Sequence, residues 1–277
     1  MLYFLPTPIG NLKDFTLRGL EILSKADVII CEDTRVCKSL LHLIKEKLNT
    51  PNKAKEILSL HTHNEKEFTK NLAQLDFENQ IIVYLSDAGM PSISDPGSFL
   101  VRFAQNENLN YEVLPGANAA LTAFVASGFS EKNFIFLGFL NNTGKERKEQ
   151  ISSLCKSEFV NIVYESPKRV LKLIEEITAL DEEREIFAVK ELTKKFEKKF
   201  KNSAKNLLEI LKKENLNGEW TLVIAANKSI KNELVLNEKD ILSLDLPPKA
   251  KIKLLSKLGT KNTKELYLDK ILTQNKV

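Results

Sequence analysis

Four short stretches concentrate the groups that could do chemistry: EDTR at 32–35, LSDAGMPSISDPG at 85–97, YESPKR at 164–169 and KELTK at 190–194. Each begins where an apolar run ends. A carboxylate within hydrogen-bond reach of a hydroxyl can accept its proton, which makes Glu32, Asp33, Glu165 and Glu191 candidate general bases. Basic residues beside them could hold phosphate: Arg35, Lys168, Arg169, Lys190 and Lys194, together with Lys145, Arg147 and Lys148 after the NNTG run at 141–144. Simpler readings exist for the same letters. Asp33 or Thr34 suits a helix cap, Ser166 followed by Pro167 suits another, and KELTK could be a surface ion pair.

LSDAGMPSISDPG has two glycines, two prolines, two aspartates and three serines, with no lysine or arginine. Proline fixes φ and glycine permits positive φ or close approach, so such a loop can hold its amides and carbonyls pre-aimed. A triphosphate would call for GxxxxGK[ST] and a dinucleotide for GxGxxG, and neither string occurs. The loop suits a ligand of little net charge that needs both donors and acceptors. S-adenosylmethionine is of that kind, its sulfonium favouring oxygen lone pairs; a plain turn is the competing reading.

The elements that must position these loops are legible as apolar runs. YFLP (3–6), VIIC (28–31), ILSL (57–60), IIVYL (81–85) and YEVL (111–114) read as buried strands, with helical periodicity between them. Strict alternation predicts a mainly parallel sheet with helices on both faces, and ligands in such sheets sit at the carboxyl ends of the strands. PGANAALTAFVASGF then opens a small-residue helix that closes at Gly128. Strands follow at 134–140, 159–165, 185–191 and 219–226, with helices at 145–155, 167–180 and 203–214. KFEKKF (195–200) alternates charge with phenylalanine and predicts a strand wet on one face. The predicted organisation is an α/β domain over 1–116, a second over 117–228, a linker near 227–240, and a lysine-rich module over 241–277 made of two short helices joined at Gly259 to Asn262.

Bulk composition narrows the class. With 277 residues, 43% hydrophobic and 28% charged, the chain can build substantial cores. No apolar stretch is long enough to span a bilayer and the start lacks a signal-peptide pattern, so a cytoplasmic protein is expected. Cys31, Cys37 and Cys155 form no CxxC pair and predict buried free thiols. His61, His63 and Glu65 lack further ligands nearby, and no metal is expected. Net charge is only +4, but KELTKKFEKKFK (190–201) sets six lysines against two glutamates, and eight lysines face three acidic residues from Asp245 onward. A polyanion partner and a solvated lysine face compete to explain this.

PTPIGNLKD, EDTR, HTHNE, LSDAGMPSISDPG, LPGANA, GFL followed by Lys145 and Arg147, YESPKR, KELTK and DLPPKAKIKLLSKL occur in this order. Together, from Leu2 to about Leu272, they resemble the ribosomal RNA small-subunit methyltransferase I family of the tetrapyrrole-methylase superfamily. The resemblance implies two α/β domains of the tetrapyrrole-methylase type, the class III S-adenosylmethionine methyltransferase fold, with a small C-terminal helical appendix. It implies S-adenosylmethionine held between the domains, a homodimer, and 2′-O-methylation of a cytidine in the decoding region of 16S ribosomal RNA in the small subunit. Cofactor contacts are then expected from Pro8, Ser86, Asp87, Ala88, Gly89, Pro91, Ile93, Ser94, Pro115 and Gly116. The chain departs from the family's usual residues at Met90, Ala117, Lys168, where histidine is usual, and Lys190, where arginine is commoner.

Overall fold

The computed structural model describes residues 1–93, 95–228 and 238–257. Its contacts divide the chain into two units, Met1–Asn227 and Lys228–Val277. The first unit holds two five-stranded sheets. β1 (Leu2–Leu5), β2 (Val28–Cys31), β3 (Glu56–Ser59), β4 (Ile82–Leu85) and β5 (Tyr111–Val113) pair in parallel in the order β3-β2-β4-β1-β5. Every residue of β2 and β4 is buried, as continuous apolar runs in a doubly covered parallel sheet require.

Side chains alternate between the sheet's two faces. Leu2, Phe4, Ile30, Ile82 and Tyr84 join one core with α3 (Glu65–Leu72) and α4 (Gly97–Asn106) through Phe68, Leu72 and Leu100. Leu5, Ile29, Val83 and Leu85 face the other way, toward Leu23 of α1 (Leu17–Lys25) and Cys37 and Ile44 of α2 (Thr34–Leu48). Asp33 caps α2 by accepting from the Arg35 amide, so the capping reading of EDTR holds for that residue.

The second sheet contains β6 (Phe134–Phe139), β7 (Val160–Glu165), β8 (Glu185–Lys190), β9 (Lys198–Ser203) and β10 (Trp220–Ile224), in the order β6-β7-β10-β8-β9. Only β6 and β7 run parallel; the other pairings are antiparallel. α5 (Ala119–Ser127) covers one face, with Asn118 accepting from the Leu121 amide at its start and Gly128 left-handed at its end. Ile9 from the first half of the chain joins the same core as Ala120, Ala123 and Leu192. α6 (Gly144–Lys156), α7 (Val170–Thr178) and α8 (Ala204–Leu211) contribute to the core of the opposite face.

The structure departs from three expectations about secondary structure. KFEKKF is not one strand: residues 194–197 turn first, with the Lys194 amide donating to the Glu191 carbonyl and that of Glu197 to the Lys194 carbonyl. Phe200 lies in β9 and stacks near Trp220, whereas Phe196 is 71% exposed. Ser166 does not cap α7. That helix begins at Val170, and the Ser166 carbonyl accepts from the amides of Arg169 and Val170 in a turn before it. Third, the predicted linker overlaps α9 (Glu238–Ser243), which with α10 (Pro248–Lys257) makes a small core of Ile241, Ile252 and Leu255. The second predicted tail helix lies outside the described residues. No helix among the described residues is long and apolar enough to cross a membrane.

Arg147, expected on an RNA-facing surface, is 1% exposed. Its Nε and Nη2 donate to Glu176 Oε2 at 2.9 and 2.6 Å, and its Nη1 donates to the Asn141 carbonyl at 2.9 Å. The guanidinium is committed inside the lobe and is not available to phosphate. Removing one member of a buried ion pair strands its partner, so Arg147→Ala should cost about 3–5 kcal/mol. Lys145→Ala, on the exposed side of the same helix, should change stability by no more than about 0.5 kcal/mol. Urea unfolding of both variants measures the contrast, and equal midpoints would refute it.

Candidate active site

β4 lies between β1 and β2, with Leu85 in register with both Leu5 and Cys31. The next residues, Pro6, Ser86 and Glu32, therefore start three loops side by side at one sheet edge. Their backbones are stapled together. Thr7 and Gly89 form an antiparallel bridge with both amides donating across at 3.0 Å, and Thr7 Oγ1 donates to the Ser86 carbonyl at 3.1 Å. The Asp33 amide donates to Asp87 Oδ1 at 3.3 Å.

Asp95 folds the rest of the β4 loop around itself. Its Oδ1 accepts from the Tyr84 hydroxyl at 2.7 Å, the Gly97 amide at 2.8 Å and the Ser92 amide at 3.0 Å. Gly97 is needed because a Cβ there would come within 2.8 Å of both Asp95 Oδ1 and the Tyr84 ring. Gly89 has φ of +82°, and a Cβ would press on Ile9 Cγ2 at 3.1 Å. Two of the loop's glycines thus have separate reasons, positive φ and close approach.

These loops form one wall of a cavity of about 420 Å³. Ile9, Glu32, Asp87, Ala88, Gly89, Met90, Ile93, Asp95, Asn118 and Ala119 come from the first half of the chain and the start of α5. Phe139, Tyr164, Glu165, Ser166, Pro167, Leu192, Glu219, Trp220 and Thr221 come from the second sheet and its loops. Among the described residues, five that line it are carboxylates and none is lysine or arginine. Burial raises the pKa of Glu32, and the neighbouring charges of Asp87 and Asp95 add to the rise. Asp87 is likewise pushed up by burial, against the opposing hydrogen bond from the Asp33 amide.

Of the sequence-predicted residues, the cavity brings together Glu32, Glu165, Asp87, Ala88, Gly89 and Ile93. Ser86 and Pro91 are buried outside its lining. Pro8, Asp33 and Arg35 border an adjoining open groove with Asp87. Pro115 is exposed, and Gly116 sits against Pro6; neither lines the cavity. Ser94 lies outside the described residues. Hydrogen bonds from Arg35 hold Asp33 down to about 2, so it is a weak proton acceptor beside Glu32. Glu191 does not line the cavity: it accepts from the Glu219 amide at 2.9 Å and pairs with Lys194 at 3.0 Å. Burial raises its pKa, but those two partners outweigh it and the net shift is downward.

Lys190 is a further correction. It is 5% exposed, donates to the Asn215 carbonyl, pairs with Glu214 at 3.4 Å and lies 5.9 Å from the Trp220 ring centroid, so it cannot meet RNA at the surface. Much of the lysine-rich 190–201 stretch is similarly matched. Lys194 contacts Glu191 and Glu219, Lys198 contacts Glu214, Lys199 contacts Glu197, and Lys201 contacts Glu185. Arg169 is only partly exposed and pairs with Glu165. Arg35, Lys145, Lys148 and Lys168 remain exposed.

Sequence reasoning passed over Asp95 and Asn118, although both stand inside motifs it singled out. It also passed over Glu219, Trp220 and Thr221, which had no local signal. They reach the cavity because β10 runs antiparallel to β7 and sets Trp220 opposite Glu165. Pairing direction is not written in an apolar run.

The family model for tetrapyrrole (corrin/porphyrin) methylases matches residues 1–208. The chain is 54% identical over 269 residues to the ribosomal RNA small subunit methyltransferase I of Campylobacter fetus subsp. fetus (strain 82-40), spanning 96% of this chain and 98% of that protein. Identity to the protein of that name from Helicobacter pylori (strain J99) is 44% over 289 residues, covering 100% and 99% of the two chains. For Bacillus subtilis (strain 168) it is 36% over 229 residues, covering 83% and 76%. Among solved structures, cobalt precorrin-4 methyltransferase superposes with a TM-score of 0.60 at 18% identity, covering 81% of this chain and 94% of that one. That likeness shows the shared fold. With two sheets meeting at one carboxylate-lined cavity and near-full-length identity to these relatives, the chain belongs to the ribosomal RNA small subunit methyltransferase I family of the tetrapyrrole methylases.

Proposed function

We propose that this protein transfers a methyl group from S-adenosylmethionine to the ribose 2′-hydroxyl of a cytidine in the decoding region of 16S ribosomal RNA. The observation that carries the substrate class is the 54% identity, over nearly the whole of both chains, to a protein named for methylating small-subunit ribosomal RNA. The cavity supports the cofactor. Its volume of about 420 Å³ suits a nucleoside-sized ligand, and its carboxylates, with no lysine or arginine among the described lining residues, suit a sulfonium and oppose a phosphate. The positive-φ turn at Gly89 brings bare backbone to the cavity wall.

Bound there, S-adenosylmethionine would supply an electrophilic methyl carbon. The chain's task is to align the ribose oxygen with that carbon and to remove one proton. Glu32 is the acceptor we assign. It lines the cavity at the end of β2, and its raised pKa makes its carboxylate a stronger base than an ordinary glutamate. Glu32 would take the proton of the 2′-hydroxyl as that oxygen becomes methylated, keeping the leaving proton at its carboxylate. Arg35, Lys145, Lys148 and Lys168, exposed as described, supply phosphate contacts outside the cavity.

We further assign a homodimer in the cytoplasm. The edge strand β6 presents Phe134, Ile135, Leu137 and Phe139, all at least 37% exposed, and α5, whose Phe124 ring lies 4.8 Å from that of Phe134, exposes Leu121 and Val125. An apolar edge strand of this kind invites a covering partner. Sedimentation as a monomer at micromolar concentration would exclude the dimer.

Small subunits from a strain lacking the gene, incubated with methyl-labelled cofactor, test the reaction. Label on the 2′-oxygen of a 16S cytidine is expected; label entering only a porphyrinoid would overturn it. Glu32→Gln should lower kcat by about 10²- to 10⁴-fold with little change in cofactor affinity. The base must be ionised, so the wild-type rate should fall as pH drops through a pKa above the ordinary glutamate range, and the variant should lose that limb. Joint reversal of Lys145, Lys148 and Lys168 to glutamate should weaken RNA binding, flatten its salt dependence and leave cofactor binding unchanged in calorimetry. An unaltered salt slope would remove these residues from the RNA surface.

A further inference from the structure

α2 carries two apolar stripes. Cys37, Leu41, Ile44 and Leu48 join the core on one face of the first sheet. Val36, Leu40 and Leu43, spaced i, i+4 and i+7, form a second stripe in which Val36 is 40% and Leu43 41% exposed. One stripe suffices to seat a helix on a sheet. The second borders an open groove of about 570 Å³, which Pro8 and Arg35 also line.

This groove shares Asp33, Arg35 and Asp87 with a pocket of about 390 Å³, whose other lining residues are Glu32, Thr34 and Ser59. Glu32 and Asp87 in turn line the main cavity. Three compartments thus adjoin, with Glu32 on the boundary of the first two and the Asp33–Arg35 pair on the boundary of the second and third. Their chemistry changes as a nucleotide's does. Glu32, Asp87, Thr34 and Ser59 offer the polar oxygens that ribose hydroxyls meet. Arg35 Nε and Nη2 donate to Asp33 Oδ1 and Oδ2 at 3.1 and 2.6 Å, which fixes the guanidinium plane and offsets its charge. The Arg35 side chain is nevertheless 89% exposed, and among the described residues no acceptor meets its Nη1. A guanidinium so held can stack on a base while its remaining N–H groups reach phosphate. Pro8, Val36, Leu40 and Leu43 then supply an apolar floor for the face of that base.

We propose that the nucleotide to be methylated lies across these two compartments, its ribose in the polar pocket with the 2′-hydroxyl at Glu32, and its base in the groove against Arg35 and the Val36–Leu40–Leu43 stripe. The inference rests on the methyl-transfer reading above and deepens it. Continuity commits the second stripe of α2 to RNA and not to a second copy of the chain. A polymer whose hydroxyl meets Glu32 must leave by an open side, and the polar pocket that Glu32 lines opens into this groove.

Benzoylphenylalanine placed at Val36 or Leu43, irradiated with small subunits that lack the methyl group, tests the groove. Crosslinks are expected within one nucleotide of the position that wild-type enzyme labels. Crosslinks only to a second copy of the chain, to a ribosomal protein or to distant RNA, or none at all, would overturn the proposal. The neutral double variant Val36→Ser, Leu43→Gln should weaken small-subunit binding about tenfold through lost apolar contact. Its salt slope should match that of wild type because no phosphate contact is removed, and its thermal unfolding and calorimetric cofactor affinity should be unchanged, both positions being exposed. Arg35→Lys keeps the charge but not the plane, and should weaken binding nearly as much as Arg35→Ala; full binding by Arg35→Lys would overturn the stacked base. Wild type that methylates no RNA would instead overturn the parent reading. RNA affinity of the double variant then judges the groove, and an affinity equal to that of wild type would overturn it.

Discussion

The cavity depends on a register. Because Leu5, Leu85 and Cys31 end three adjacent parallel strands at the same level, the loops that follow leave the sheet together. Loops at a sheet edge are ordinarily the most mobile part of an α/β lobe. Here the Thr7–Gly89 bridge and the hydrogen bond from Thr7 to the Ser86 carbonyl tie the outer loop to the central one. Asp95, gripped by the buried Tyr84 hydroxyl, closes the central loop on itself. A cavity wall built this way is preorganised, since its groups are aimed before any ligand arrives.

Charge is distributed to match. Carboxylates collect where burial and their mutual proximity raise the pKa values of Glu32 and Asp87. Among the described residues, no lysine or arginine lines the cavity. Lys190 and Arg147, which read from sequence as RNA contacts, are spent inside the second lobe on Glu214 and Glu176. The lysine-rich strand β9 is largely balanced by glutamates across its own surface. A local excess of lysine is therefore a poor guide to a polyanion surface when its acidic partners lie distant in sequence, as Glu185 and Glu214 do.

Glu165 shows how a structural network can shape a site. Arg169 fixes one oxygen, and Arg147 stands near the other without bonding it. The carboxylate is thereby fixed in place, with Oε2 enclosed and without a hydrogen-bond partner among the described residues. Its position opposite Trp220 also brings the start of β10 into the same wall, so a single antiparallel pairing supplies both the aromatic surface and the neighbouring carboxylate of Glu219.

Local chemistry was enough to read the first sheet, its helices, the cap at Asp33 and the helix end at Gly128, because buried runs, helical spacing and capping side chains act between near neighbours. It was also enough to place Glu32 and Asp87 to Gly89 together at one sheet edge, where they line the cavity, since parallel strands send such loops to one side. Tertiary structure alone decided that Arg147 and Lys190 are buried, that residues 194–197 turn before β9, and that Trp220 faces Glu165. Those outcomes turn on which strand lies beside which, and in which direction. Burial and ion pairing between residues distant in the chain are settled only when the sheets assemble.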